Sequence, residues 1–377
     1  MSKVMIFGLG EVGTHILHFL VRDPKCPELV ISDFNEEVSV KRIDNALIGA
    51  AITKNYPKVS FEQVDLTDVD RTAELIRKHK PDVVINCAVL QTWHVIRKLP
   101  EKEYARISSA TLGAWLPCQL SLIYHLMKGI KQSGENPKVI NTALSDLTNP
   151  VLEKVGLAPD IGIGNVELIE PAVRLNVSRK LEVPIDSVTI YLVAHHLWWV
   201  YPREAGYEKG PYHIKVMVND KDVTNQFDTD KLMYESIKLY PPMTDFTTTS
   251  AISTIKNMYA LMSATPIFTH SPTPKGLPGG YPIHLSQEGA EVVLPEGITL
   301  EEAIKINEDS AKLDGIERIE EDGTVIFADY AHEILKDMIG FDRKSFKPEE
   351  SHEVALEMMD LYKEYFNKLK AEGKVEE

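Results

Sequence analysis

Short apolar runs alternate with stretches of helical spacing over the first 160 residues, and the alternation sets the expected architecture. Residues 4–7 form an apolar run that enters Gly8-Leu9-Gly10-Glu11-Val12-Gly13, after which Ile16, Leu17, Phe19 and Leu20 recur at helical spacing. Residues 29–32 read as a second buried strand ending at Asp33, and residues 59–64 as a third ending at Asp65. An amphipathic helix over 72–80 stops at Pro81, before the nearly all-apolar fourth strand 82–88. One long helix is expected over 104–132, a strand over 138–143 and a helix over 145–155. Strand–helix alternation of this kind implies a doubly wound parallel sheet, so the fold class is α/β, with a Rossmann domain expected over 1–158.

Past Pro159 the pattern changes, and residues 159–377 are expected to form a mixed α+β domain for substrate, catalysis and oligomerisation. A helix is expected over 167–180 and a β-branched strand over 187–194, leading into His195-His196-Leu197-Trp198-Trp199. Residues 212–218 and 223–227 suggest a hairpin, 248–264 a helix, and the Pro- and Gly-rich stretch 266–280 an irregular crossing. Thr299 and Glu302 open a helix over 299–311 with a capping box, and residues 353–369 place Val354, Met358, Leu361, Tyr365 and Leu369 on one face for packing. No internal repeat is found.

Charge narrows the partners. The 377-residue chain carries 41 Lys and Arg against 56 Asp and Glu, a net charge of −15, which disfavours nucleic acid and anionic membranes and requires local cations for any anionic substrate. No apolar stretch reaches the length of a membrane span. The 3 cysteines, Cys26, Cys87 and Cys118, are odd in number and far apart, which fits reduced thiols and a cytoplasmic location rather than a disulfide framework.

The glycine motif carries the first chemistry, because it follows a strand, opens a helix and precedes an acidic strand end. Gly8 would permit the tight turn, Gly10 a close approach of backbone to a pyrophosphate, and Gly13 close helix–strand packing; Leu9, Glu11 and Val12 supply the surrounding backbone. Asp33 would accept from the adenosine ribose hydroxyls and repel a 2′-phosphate, so NAD is expected over NADP, with Lys41 and Arg42 the residues that could reverse the preference. Phe34, Leu66, Cys87, Ala88, Val89 and Thr142 complete the expected cofactor lining at the strand ends. Asp65 is read either as a cap for the following helix or as an adenine contact. Without a ligand, the same glycines would serve packing alone.

His195 and His196 close a strand, where an imidazole can exchange the proton that hydride transfer to a carbonyl demands. Adjacent residues of a strand point to opposite faces, so at most one of the two is expected in the site, and no metal site is expected. Glu170 and Arg174 share a helix face and either form a simple i,i+4 pair or act as an orienting acid and a carboxylate clamp. Trp198, with Trp199 and Tyr201, suggests a pocket larger or more apolar than a small hydroxy acid needs.

Together these stretches resemble the lactate/malate dehydrogenase superfamily over roughly residues 3 to 315. The likeness rests on Gly8, Gly10, Gly13 and Asp33, on Ile161-Gly162-Ile163-Gly164-Asn165 and on Tyr191-Leu192-Val193-Ala194-His195-His196. It implies that His196 transfers the proton, that Glu170 orients it and that Arg174 clamps the substrate carboxylate. It also implies a substrate-polarising Arg, for which Arg97 and Arg106 are candidates, and a substrate contact at Thr248 in Thr247-Thr248-Thr249-Ser250. This sequence departs from the family at Ala194-His195-His196-Leu197, and the N-terminal half, through Asp65-Leu66-Thr67-Asp68 and residues 81–88, is also similar to saccharopine dehydrogenase-like proteins. The resulting expectation is an NAD-dependent oxidoreductase acting on a hydroxy or oxo acid, assembled as a homodimer or homotetramer. A saccharopine- or opine-type amino-acid dehydrogenase and a non-catalytic dinucleotide-binding protein are the alternatives.

Overall fold

Strand β1 (Lys3–Phe7) has apolar side chains pointing to both faces, with Val4, Met5, Ile6 and Phe7 fully buried, so it has to lie inside a sheet covered on both sides. The computed structural model, which describes residues 2–203, 208–241 and 246–375, places it there. Around it fold α1 (Glu11–Leu20), β2 (Glu28–Asp33), α2 (Glu36–Ile52), β3 (Val59–Gln63), α3 (Val69–His79) and β4 (Val83–Asn86). Next come α4 (Glu101–Ser108), α5 (Leu116–Ser133), β5 (Lys138–Asn141), α6 (Ser145–Lys154) and β6 (Ile161–Gly162). The six strands pair in the order β3-β2-β1-β4-β5-β6, all parallel: the doubly wound α/β sheet expected from the alternation. Its last strand lies just beyond residue 158.

A second, antiparallel sheet follows from α7 (Val166–Leu181), β7 (Val188–Ala194), α8 (Leu197–Val200), β8 (Tyr212–Val218), β9 (Lys221–Asp222), α9 (Thr229–Ile237) and α10 (Thr247–Leu261). It is completed by β10 (Ile267–Pro272), β11 (Gly280–Ser286) and β12 (Gly289–Val292), in the order β10-β11-β7-β8-β9 with β12 on β11. The chain then runs through α11 (Leu300–Leu313), β13 (Ile316–Ile319), β14 (Val325–Phe327), α12 (Asp329–Ile339), β15 (Ser345–Phe346) and α13 (Ser351–Ala371). Helix α13 does not stay with the second sheet. Its Val354, Met358, Tyr362 and Leu369 enter the same core as Met5, Phe7 and Val84, so the tail buries its apolar face on the first domain.

Several expected elements come out differently. The single helix over 104–132 is broken into α4 and α5, because Thr111 takes a left-handed φ of 67° and a 3₁₀ turn follows at Gly113–Trp115. The supposed crossing 266–280 contains β10, which tolerates Pro272 at its end, where the last register pair with β11 is reached. Residues 223–227 are not the second arm of a hairpin: only Lys221–Asp222 pairs, and a 3₁₀ turn takes Thr224–Gln226. The capping box is formed as expected, with Glu302 N donating to Thr299 Oγ1 at 3.2 Å and Thr299 N to Glu302 Oε2 at 2.8 Å.

Candidate active site

The turn after β1 is shaped by two glycines. Gly8 has φ +90°, and a Cβ there would stand 2.6 Å from the Ala88 amide nitrogen; one on Gly13 would stand 2.1 Å from the Gly8 carbonyl oxygen. Their lack of side chains seats α1 and the turn directly on the end of β4. At Gly10 nothing lies within 4 Å of the Cβ position, and no side chain caps α1, so the first amides of a ten-residue helix face open space. Glu11 and Val12 begin that helix.

Asp33, closing β2, accepts from the Leu9 amide through Oδ2 at 2.7 Å and from the Asn35 amide through Oδ1 at 2.9 Å. The Arg42 guanidinium reaches the Leu9 carbonyl, so a carboxylate and a cation flank the same turn. Asp65 is a correction to the expected cap: its Oδ1 accepts from Thr67 N and Oγ1, while Asp68 caps α3 by accepting from Arg71 N at 2.9 Å. Phe34 is exposed and Leu66 is buried in the core. Cys87 lies beside Gly13, with its thiol pKa raised by burial, and Ala88 and Val89 follow it past β4. The Thr142 amide donates to the Asn86 carbonyl at 3.0 Å.

Strand ends are tied laterally by amides. Asn86 Nδ2 donates to Asn141 Oδ1 at 3.0 Å, Asn141 Nδ2 to Asn149 Oδ1 at 2.7 Å, and Asn149 Nδ2 to Thr273 Oγ1 at 2.7 Å. This buried ladder runs from the end of β4 across β5 and α6 to the loop after β10. Beside it lies a buried cluster of four ionisable groups.

His195 and His196 follow β7 at Ala194. Contrary to the expectation of opposite faces, both rings turn the same way, with centroids 4.1 Å apart, because the strand ends before them and His196 has already taken helical φ and ψ of −60° and −13°. His196 Nδ1 lies 3.2 Å from Asp146 Oδ2, which also accepts the His196 amide at 2.8 Å. On the other side Nε2 stands 3.0 Å from Asp314 Oδ2, an ion pair rather than a well-aligned hydrogen bond. Asp146 Oδ1 accepts from Asn165 Nδ2 at 2.8 Å, and Asn165 holds an unusual φ of 52° and ψ of −115° to reach it. All four ionisable groups are at most 2 % exposed. Burial alone would lower the His196 pKa, but the Asp314 and Asp146 carboxylates overturn this and raise it to about 10. Burial and the neighbouring His196 charge push His195 down to about 4, and neither of its ring nitrogens has a hydrogen-bond partner among the described residues.

Glu170 does not orient His196. It pairs instead with Arg174, whose Nε donates to Glu170 Oε1 at 2.7 Å, while Asp146 and Asp314 occupy the imidazole. Burial raises the Glu170 pKa against the pull of Arg174. Next to this pair His270, 1 % exposed, accepts the Leu192 amide at Nε2 (3.1 Å), which leaves the proton on Nδ1. Burial, with Arg174 and Lys256 nearby, holds its pKa well below 6.5. The unfolded chain therefore gains a proton below pH 6.5 that the folded chain refuses, and stability falls as the pH drops through 6.5. Urea midpoints at pH 7.5 and 5.5 should drop more for the wild type than for His270→Gln; equal drops would refute the assignment.

The remaining expected residues scatter. Arg97 stacks over Trp93 at 4.7 Å, and Arg106 pairs with Asp337 at 3.2 Å on the surface. Thr248 lies in the first turn of α10, half-buried. Trp198 is 1 % exposed, donates from Nε1 to the Gly210 carbonyl at 2.8 Å and packs edge-on against Tyr212, so it is core rather than pocket wall. Sequence reasoning missed Asp146, Asn165 and Asp314. The first had a readable signal, an acid in the first turn of a helix just past a strand, whereas Asp314 reaches the cluster only through tertiary folding.

Residues 4–95 match the family model described as the saccharopine dehydrogenase NADP binding domain. No curated protein matches the chain. Among solved structures, a lactate dehydrogenase from a Medee basin deep-sea metagenome library superposes with a TM-score of 0.57 at 16% identity, over 83% of this chain and 96% of that one. The malate dehydrogenase of Cryptosporidium parvum gives 0.57 at 15% identity over 83% and 96%. The minor L-lactate dehydrogenase of Enterococcus mundtii gives 0.55 at 18% identity over 85% and 99%. The chain has the fold of these dehydrogenases.

Proposed function

We propose that this chain is a nicotinamide-dinucleotide-dependent oxidoreductase that interconverts a carbonyl and an alcohol on a small carboxylate substrate. The carrying observation is the coincidence, at the carboxyl ends of β1, β4 and β5, of an uncapped glycine turn flanked by Asp33 with a buried imidazole–carboxylate cluster. The bound dinucleotide would supply or accept the hydride. The α1 amides would hold its diphosphate, and Asp33 would exchange its Leu9 contact for the ribose hydroxyls. His196 stores a proton between two carboxylates, and His195, neutral and unbonded, is the group that takes up or passes on the substrate proton. Arg174, still one-third exposed, is the cation that supports a carboxylate substrate.

Asp33→Ala should weaken NADH binding at least tenfold, the loss expected for charge-assisted hydrogen bonds worth about 1.5–3 kcal/mol. Calorimetric titration of both proteins with NADH and NADPH reads this directly, and an unchanged NADH affinity would sink the reading.

One observation favours a second reading, an amino-acid dehydrogenase of saccharopine type using NADP: the match over residues 4–95 together with Arg42 at the turn. In that case NADPH binds the wild type more tightly than NADH, and Arg42→Ala removes the preference.

A further inference from the structure

We infer that Asp146, His195 and His196 form a binding site for one divalent transition-metal ion of the zinc type, with Asp314 orienting His196 behind it. The inference stands on these side chains and not on dinucleotide binding; with the ion bound, His195 and His196 are ligands and the proton-relay roles given to them above do not operate.

Three donor atoms converge. Asp146 Oδ2 and one nitrogen from each ring lie within 4.8 Å of one another. Oδ2 is 3.2 Å from His196 Nδ1 and 4.0 Å from His195 Nε2. A tetrahedral ion with bonds of about 2.0–2.1 Å holds its donors about 3.3 Å apart. The first distance already meets this. The second closes by rotation of the His195 ring, which no hydrogen bond among the described residues restrains.

His195 is the independent pointer. An imidazole at 0 % exposure whose two nitrogens find no partner among the described residues forfeits hydrogen bonds that a buried polar group otherwise makes, at a cost of about 1–3 kcal/mol. A ligand bond from Nε2 would satisfy one of the two nitrogens.

The surroundings are those of a metal site rather than a simple ion pair. Asn165 occupies Asp146 Oδ1, which leaves Oδ2 facing the two rings. Asp314 stands 3.0 Å from His196 Nε2, the far nitrogen, so a metal on Nδ1 would complete a carboxylate–histidine–metal triad. Charge agrees: two buried carboxylates with one imidazolium leave a net negative charge, whereas a divalent ion with two neutral rings leaves none. Two nitrogens and one oxygen suit zinc, cobalt or nickel, not magnesium or calcium. Three protein ligands leave a fourth position for a substrate oxygen, whose carbonyl the ion would polarise. Asp146 also borders a cleft of about 510 Å³ lined by Pro150, Leu277, Glu308 and Lys312.

The test uses tag-free, chelator-dialysed protein titrated with Co²⁺ and Zn²⁺. The expected result is one equivalent of Co²⁺ per chain, with the visible ligand-field absorption of a tetrahedral site, displaced by Zn²⁺ and accompanied by a rise in Tm. His195→Ala and Asp146→Asn should abolish the absorption, and Asp314→Asn should weaken Co²⁺ binding 10–100-fold, as for other outer-shell partners. Far-UV circular dichroism confirms folding, with His195→Gln as the substitute if alanine is not tolerated. Wild-type protein that shows no Co²⁺ absorption and no Tm response, or a folded His195 variant that binds Co²⁺ as the wild type does, overturns the inference. NADH titration of the same metal-free protein is scored separately, so either reading can fail while the other stands.

Discussion

Replacing Asp314 by alanine in chelator-treated protein is expected to destabilise the fold by about 3–5 kcal/mol, the range for removing one partner of a buried ion pair. Asp314 is fully buried, stands 3.0 Å from His196 Nε2 and accepts the Leu112 amide at Oδ1 (3.2 Å). Its loss strands a half-paired imidazolium and an orphaned amide in the interior. Urea denaturation followed by circular dichroism measures the change. The surface pair Arg106–Asp337 is the control: its aspartate is 68% exposed, and Asp337→Ala should leave the midpoint where it is. Equal behaviour of the two variants would refute the buried Asp314–His196 pair as a stabilising contact.

The second large effect belongs to Trp198. Truncation to alanine should cost about 3–5 kcal/mol, because a side chain 1 % exposed leaves a cavity lined by residues of β8 and α8 that cannot collapse into it. Trp198→Phe keeps most of the volume but loses the hydrogen bond to the Gly210 carbonyl, for about 1 kcal/mol. The graded series of urea midpoints, wild type then Phe then Ala, separates a packing role from a substrate role. A pocket residue would instead alter substrate KM with little change in stability.

The first domain was legible because its determinants are local. Gly8 and Gly13 are required by contacts with Ala88 and with Gly8 itself, and Asp33 stands at the end of the next strand, all within units whose periodicity is plain. Helix α2, by contrast, leaves no readable stripe: Val38, Val40, Ile48 and Ile52 are exposed on it, so its apolar residues trace no single face. The break between α4 and α5 was hidden for a different reason. Thr111 is a β-branched residue at positive φ, and propensity argues against it there; the hydrogen bond from the neighbouring Leu112 amide to Asp314 ties the chain at that point.

The histidine pair marks the boundary of what periodicity can decide. A strand alternates its side chains, so His195 and His196 read as facing apart. The strand stops at Ala194, and a hydrogen bond from the His196 amide to Asp146 turns the backbone into α8. That contact joins two segments separated by the whole of α7 and β7, and only the assembled protein supplies it.

What the amino-acid sequence determined by itself is the doubly wound sheet, its glycine turn and the acidic end of β2, since these follow from residue spacing and from the steric freedom of glycine. What only tertiary structure decided is the company each histidine keeps: Glu170 was the carboxylate nearest in the family pattern, yet Asp146 and Asp314 hold the ring. Local sequence fixes which backbone conformations are open. The choice of partner for a buried charge depends on which elements pack together, because burial makes an unpaired charge too costly and only packing brings distant residues within 3 to 4 Å.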